Sequence, residues 1–218
     1  MKDEYIDASE LDAIYSRIHD EISSRIEEFE QLWESGTEEE LFNEFAFCLL
    51  TPQSKAKSCW IAVEKLRNNG LLLNAGSDVI AKKLAGVRFH YKKAANIERA
   101  RELFIKNGKF DVRTSIMQFN NPFDTRDWLV QNVQGMGYKE ASHFLRNIGH
   151  GEDFAILDRH IIRNLKCFKI IDEIPKYLTG KNYLDIEEKM RQFAYDIEIP
   201  MNHLDLLFWF KETGEIFK

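Results

Sequence analysis

Apolar residues recur every three or four positions along most of this chain, which predicts helices rather than strands. Residues 9–34 place Leu11, Ile14, Tyr15, Ile18, Ile22, Ile26, Phe29 and Leu32 on one helical stripe. Ser9 is its expected cap, Asp12 suits the positive helix end, and Ser35-Gly36 is the stop. Thr37-Glu38-Glu39-Glu40 has the form of a capping box for a second helix through Leu41, Phe45, Phe47 and Leu50. Thr51-Pro52 breaks the chain, and residues 53–67 resume as a helix ending at Asn68-Asn69-Gly70. A short helix is expected over 77–84, a loop over 86–90, and a basic helix over 91–105. After the Asn120-Asn121-Pro122 turn, Asp124 or Thr125 caps a helix through Leu129 and Val133. Further helices are expected over 139–148, stopped by Gly149-His150-Gly151, and over 158–168. Residues 187–196 lie in another, and a last one spans 202–211 after Pro200. No strand alternation, repeat or low-complexity stretch competes, so the expected class is all-α.

At 218 residues, 44% hydrophobic and 30% charged, the chain is long enough to bury a sizeable core, as one unit or two packed lobes. No run approaches the roughly 18 apolar residues of a membrane span, and the acidic N-terminus has no apolar signal core. A cytoplasmic protein without membrane association is expected. Cys48, Cys59 and Cys167 are scattered and too few for a four-cysteine iron–sulfur cluster, a zinc site or a disulfide framework; all three read as core thiols, and no metal site is expected.

The net charge of −6 argues against nucleic acid until its distribution is considered. Residues 1–47 hold three Lys/Arg against fifteen Asp/Glu, so the remainder carries 27 basic and 21 acidic groups. Residues 82–101 alone hold seven basic residues against Glu98. Phosphate binding depends on the local field, so this run is either a nucleic-acid surface or a solvated helix face.

The chemistry concentrates in residues 133–163, VQGMGYKEASHFLRNIGHGEDFAILDRHIIR. Gly135 and Gly137 allow a tight turn into a helix whose first N–H groups and positive dipole end suit a phosphate; glycines also serve plain helix turns. Lys139 stands at that helix start, where the dipole and partial burial disfavour its ammonium. A neutral lysine amine is a nucleophile able to form Schiff bases, although most helical lysines are simply exposed. Asp158 follows the apolar run Phe154-Ala155-Ile156-Leu157 and opens another helix. Capping and catalysis are compatible there, because the cap fixes the carboxylate. His160 reads as a satisfied buried histidine in preference to a DNA contact.

VQGMGYKEA resembles the helix-hairpin-helix element of DNA base-excision glycosylases, and ILDRHIIR resembles the aspartate segment that completes their active site. CLLTPQS is similar to the superfamily's lesion-facing helix-to-loop segment, and FHYKKAANIERAR to its following basic helix. GYKEASHFLRN and LDLLFWFKETGEIFK look most like the archaeal-type 8-oxoguanine DNA glycosylase/AP lyases. The resemblance runs from about residue 40 to the C-terminus. It implies a two-lobed fold with its cleft between lobe A, about 1–40 plus 153–218, and lobe B, about 41–152, with the hairpin at about 126–148. It also implies a monomer acting on double-stranded DNA that contains oxidised guanine. Lys139 attacks C1′, Asp158 stabilises the charge developing on the sugar, and the Schiff base drives β-elimination.

The same resemblance suggests a monovalent cation at the hairpin and no iron–sulfur cluster. It points to Gln53 as the residue filling the gap left by a flipped base, against a plain surface glutamine. Trp209, among Leu206, Leu207, Phe208 and Phe210, is either core or a stacking face for the purine. Lys218 ends the chain, as a terminal lysine does in this branch, and either frays or helps to recognise the oxidised base. A carboxylate from the terminus or from Asp205 would accept the N7 proton that 8-oxoguanine has and guanine lacks. Arg88, Lys92 and Lys93 are candidate phosphate contacts. Two alternatives remain: the same scaffold acting on another lesion, and a non-catalytic DNA-binding module.

Overall fold

The first apolar stripe forms α1 (Ala8–Ser35), which buries Leu11, Ile18, Ile22 and Phe29. It begins one residue before the serine expected to cap it. The structure, a computed structural model, describes residues 8–218; the first residues of the acidic N-terminal stretch, 1–7, lie outside them. Thr37 caps α2 (Glu38–Leu50) with the full reciprocal box: its hydroxyl accepts from Glu40 N–H at 3.2 Å, and its own N–H donates to Glu40 Oε2 at 2.8 Å. The chain continues through α3 (Ala56–Asn68), α4 (Leu71–Asn74), α5 (Ser77–Lys83) and α6 (His90–Leu103). After the hairpin β1 (Ile105–Lys106) and β2 (Lys109–Phe110) come α7 (Val112–Met117), α8 (Pro122–Asn132) and α9 (Tyr138–Asn147). The last helices are α10 (Arg159–Cys167), α11 (Gly180–Asp196) and α12 (Met201–Thr213).

Several boundaries differ from expectation for identifiable reasons. Helix α3 starts three residues later than 53, because the buried Lys93 ammonium holds the intervening loop. It donates to the Leu50 and Pro52 carbonyls at 2.7 Å each and to Ser54 Oγ at 3.0 Å. Helix α8 is capped by Asn121, whose Oδ1 accepts from Phe123 N–H at 2.8 Å, and not by Asp124 or Thr125. Pro122 then occupies the first turn, where its missing N–H costs nothing. The β1–β2 hairpin was not expected. Its turn is Asn107-Gly108, both with positive φ, the pairing that suits a two-residue hairpin. Cys48 and Cys59 are buried, but Cys167, the last residue of α10, is only half-buried and is not a core thiol.

Two hydrophobic clusters organise the fold. One draws its buried residues from 41–154 and centres on Phe42, Phe45, Phe104 and Phe144. The other combines Leu11, Ile18 and Ile22 of α1 with buried residues from 155–208. Helix α1 spans both, since Leu32 and Trp33 near its end pack on the first cluster. The chain passes between clusters at Phe154-Ala155, immediately before Asp158.

Candidate active site

Helices α8 and α9 meet at a turn that only glycine fits. Gly135 has φ +88°, and a Cβ there would stand 2.1 Å from Asn96 Nδ2 on α6. The Arg99 guanidinium also bonds Gln134, so the basic helix lies against the turn. Gly137 is extended backbone, φ −102° and ψ −175°. Its N–H, one of the amides expected to receive phosphate, donates to Glu140 Oε2 at 3.2 Å. The chain's own carboxylate thus occupies part of that seat. Lys139 lies in the first turn of α9, its side chain 21% exposed. Its Nζ donates to Thr51 Oγ1 at 3.0 Å and stands 3.8 Å from Glu140 Oε1. Thr51 in turn donates to the Cys48 carbonyl at 2.9 Å, which fixes the hydroxyl lone pairs toward the lysine.

Asp158 is the N-cap of α10. One oxygen, Oδ1, accepts from His160 N–H at 2.7 Å and Ile161 N–H at 2.9 Å. Asp205 on α12 is buried, with Arg146 Nη2 3.4 Å from its Oδ2. Burial pushes its carboxyl up to about 6; Arg146 opposes the shift, the Asp158 carboxylate adds to it and the Lys139 ammonium opposes it. Lys139, Asp158 and Asp205 therefore share one electrostatic neighbourhood, although they come from three helix segments. His160 is partnered as expected, with Nδ1 3.5 Å from Glu212 Oε2, but it is half-buried and not fully buried. Trp209 is half-buried, edge-on to His160 at 5.6 Å between centroids, and its buried indole N–H has no acceptor among the described residues.

The terminal residue is tied down. The Lys218 ammonium pairs with the buried carboxylate of Glu44 and lies 3.8 Å from the Trp60 ring centroid. Glu44 also accepts from Asn147 Nδ2 at 2.9 Å. Burial holds the neighbouring His143 imidazole well below its usual range; Lys139 and Arg146 act in the same direction, while the Lys218 backbone opposes them. A cavity of about 230 Å³ adjoins this corner, lined in part by Phe29, Asn43, Glu44, Trp60 and Lys218.

Gln53 and Arg88 are exposed and brought together, since Arg88 N–H donates to Ser54 Oγ at 3.0 Å. Lys92 is exposed on α6, the basic helix that begins two residues after Arg88. Lys93 must be withdrawn as a phosphate contact: it is 5% exposed and its ammonium is consumed by the three loop acceptors, with burial lowering its pKa. Sequence reasoning missed Thr51, Glu140, Glu44 and Trp60, whose partners are remote or whose helical position is unremarkable. It also missed Phe89, exposed and left-handed at φ 57°, beside Gln53's loop. Among the described residues no group of three or more His, Cys, Asp and Glu is arranged to hold a metal.

A helical fold carrying one two-stranded hairpin, with a glycine-turned helix pair, a lysine on its second helix and an aspartate capping the helix beyond, defines a helix-hairpin-helix DNA glycosylase. The sequence model for 8-oxoguanine DNA glycosylase matches residues 22–199. The chain belongs to that 8-oxoguanine DNA glycosylase family. It is 44% identical to the 8-oxoguanine DNA glycosylase/AP lyase of Fusobacterium nucleatum, covering 100% of this chain and 99% of the relative. The Methanocaldococcus jannaschii enzyme of that description is 39% identical, covering 93% of this chain and 94% of the relative. The crystal structure of the Thermotoga maritima 8-oxoguanine DNA glycosylase superposes with a TM-score of 0.86 at 36% identity, over 96% of this chain and 97% of that one. The M. jannaschii 8-oxoguanine glycosylase/lyase in complex with a 15mer DNA containing 8-oxoguanine gives 0.87 at 34%, over 96% and 98%.

Proposed function

We propose that this protein is a bifunctional 8-oxoguanine DNA glycosylase and AP lyase, with Lys139 as nucleophile and Asp158 as its electrostatic partner. The observation that carries the assignment is the placement of Lys139: a lysine in a first helical turn, its ammonium held by Thr51, with Asp158 capping the helix that follows. The two hydrophobic clusters are the two lobes, and DNA lies across the junction. The extruded base costs a few kcal/mol to unstack, and the hairpin amides, with Arg88, Lys92 and the rest of the basic helix, supply phosphate contacts that offset it. Gln53 fills the gap in the duplex.

As the glycosidic bond breaks, positive charge grows on the sugar. The Asp158 oxygen not consumed by capping faces that charge. Lys139 Nζ gives up a proton, forms a bond to C1′, and the base leaves with the bonding pair and takes up a proton. Opening of the sugar ring leaves an iminium at C1′, which acidifies the C2′ hydrogen. Loss of that proton moves its electron pair into a C2′–C3′ double bond and expels the 3′ phosphate, cutting the strand. Trp209 provides the flat face for the purine. The Lys218 ammonium is committed to Glu44 and Trp60, and recognition of the N7 proton falls to the Asp205 carboxylate. A monovalent cation at the hairpin would be held by backbone carbonyl oxygens of residues 133–137, of which Val133 and Gly137 already accept from the Met136 and Ala141 N–H groups; no iron–sulfur cluster is part of the reading. No helix among the described residues is long and apolar enough to cross a membrane, and we place the enzyme in the cytoplasm as a monomer on double-stranded DNA.

The test is borohydride trapping on a duplex with one 8-oxoguanine. A covalent adduct that requires both the lesion and Lys139 is expected, and Lys139→Gln abolishes it. An adduct at an abasic site but not at 8-oxoguanine would move the assignment to another lesion. No adduct with either duplex would leave a DNA-binding module without catalysis.

A further inference from the structure

Asp158 is delivered by residues 154–157, a segment with no helix or sheet of its own to fix it. Its backbone groups are fixed instead by α11. Glu187 Oε1 accepts from Ala155 N–H at 2.9 Å, and the Tyr183 hydroxyl donates to the Ala155 carbonyl at 2.6 Å. Leu157 N–H points at the same hydroxyl at 3.4 Å. Both amide groups of one fully buried alanine, three residues before Asp158, are thus held by two side chains one helical turn apart.

Glu187 is itself held from the other side of the site. Arg126 on α8 meets it in a bidentate pair, Nη1–Oε1 2.6 Å and Nη2–Oε2 2.8 Å, with both side chains 2–3% exposed. Arg126 Nη1 also reaches Ser142 Oγ on α9 at 3.1 Å. The guanidinium lies 4.2 Å from the Phe154 ring centroid and 5.3 Å from that of Tyr138, the residue before Lys139. Tyr138 stacks on Tyr183 at 5.6 Å. One buried network therefore touches the helix that carries Lys139 and the segment that carries Asp158.

We infer that Arg126, Glu187 and Tyr183 are positioning residues that set the separation and orientation of Lys139 and Asp158. A buried ion pair is a poor stabiliser, because desolvation consumes most of the Coulomb gain and apolar replacement of both partners is often neutral. Its value here is geometric: the pair gives Ala155 a directional acceptor that an apolar contact cannot supply. This inference rests on the assignment of Lys139 and Asp158 as the reacting pair.

The experiment compares Arg126→Met/Glu187→Met with Arg126→Met/Glu187→Gln, alongside wild type, Lys139→Gln and Tyr183→Phe. Both doubles remove the charge pair; only the one with glutamine retains an acceptor for Ala155 N–H. Each is measured for urea stability, single-turnover release of 8-oxoguanine, DNA affinity, and borohydride trapping on a preformed abasic duplex. Trapping there needs Lys139 but no departing base. The double methionine variant is expected to remain folded and bind DNA while excision falls about 10²-fold, the cost of a misplacement near 1 Å. Abasic trapping is expected to fall far less, and the glutamine double to recover excision. Tyr183→Phe, which keeps the packing and the ion pair, is expected to lose roughly tenfold in excision through the lost hydrogen bond.

Wild-type excision in the double methionine variant, or equal excision in the two doubles, overturns the inference. If neither double folds, Tyr183→Phe decides: excision unchanged, or reduced in proportion to trapping, overturns it. Wild type and Lys139→Gln report separately on the underlying assignment, which fails if wild type releases no base or if Lys139→Gln still traps.

Discussion

Gly135→Ala places a methyl group where the backbone and a neighbouring side chain both oppose it. At φ +88° an L-residue pays about 1–2 kcal/mol for the left-handed backbone. The new Cβ would stand 2.1 Å from Asn96 Nδ2 and 3.2 Å from its Cγ, and Asn96 is only 4% exposed, so it cannot swing into solvent. Overpacking of this kind costs about 1–3 kcal/mol, which brings the expected loss to about 2–5 kcal/mol. Urea unfolding of Gly135→Ala, Asn96→Ala and the double variant separates the two parts. Truncating Asn96 removes the close atoms and leaves its Cβ at 3.9 Å. Relative to Asn96→Ala alone, the double variant should therefore lose only the backbone share. Gly137→Ala is the control: its φ of −102° is open to any residue, and its nearest neighbour is a Glu140 oxygen at 3.3 Å on a movable side chain. Less than about 1 kcal/mol is expected there. A Gly135→Ala protein as stable as wild type, or one whose loss ignores Asn96, would refute the reasoning.

Lys92→Ala should lower the slope of log affinity against log salt by about one, whereas Lys93→Ala should leave the slope alone and destabilise the 50–54 loop, since only Lys92 is free to meet a phosphate; salt titrations of the two variants decide. Asp205 predicts a pH signature. Its folded pKa of about 6 lies above the usual 3.8, so the folded state holds a proton that the unfolded chain has already lost, and stability falls as pH rises through that window. Wild type should lose about 2 kcal/mol relative to Asp205→Asn between pH 4 and 6, with a constant offset from the orphaned Arg146; a difference flat with pH contradicts the burial argument. Glu44→Gln removes the anion that holds the largely buried Lys218 ammonium and should cost about 1–3 kcal/mol in urea unfolding, with abasic-site trapping unchanged; unchanged stability would contradict the pairing. Thr37→Ala should cost about 1 kcal/mol in urea unfolding, the worth of its cap.

Local features of this fold were legible because their causes are local. The Thr37 capping box, the Asp158 cap and the glycine turn into α9 each involve residues within a few positions of one another. The β1–β2 hairpin was just as local, and its Asn-Gly turn was an available signal passed over because two-residue strands show no alternation. The surroundings of Lys139 and Lys218 are different in kind. Thr51 reaches Lys139 across 88 positions, and Glu44 reaches Lys218 across 174. Helical periodicity says which face is buried but not which helix lies opposite it. Lys93 shows the consequence: its basic neighbours suggest a surface charge, yet it sits with Ala94, Asn96, Ile97 and Ala100 on the buried positions of α6.

That example suggests a rule with more reach than composition. In α11 the buried positions Tyr183, Ile186, Met190 and Ala194 define a stripe, and Glu187 falls on it. In α8, Arg126 lies beside buried Thr125 and one turn before Leu129. A charge that interrupts an apolar stripe must be carried into the interior when the helix docks, and it is tolerated there only with a partner. Each such residue among those described has one: Lys93 the loop carbonyls, Arg126 and Glu187 one another, Asp205 Arg146, and Glu44 Lys218. Two of these four cases border the reacting groups, a third shapes the loop that carries Gln53, and the fourth holds Lys218. The positions where a charged residue breaks the helical pattern are thus where this fold trades hydrophobic burial for directional contacts. In a protein whose chemistry needs a lysine and an aspartate from separate segments held in register, that is where directional contacts are required.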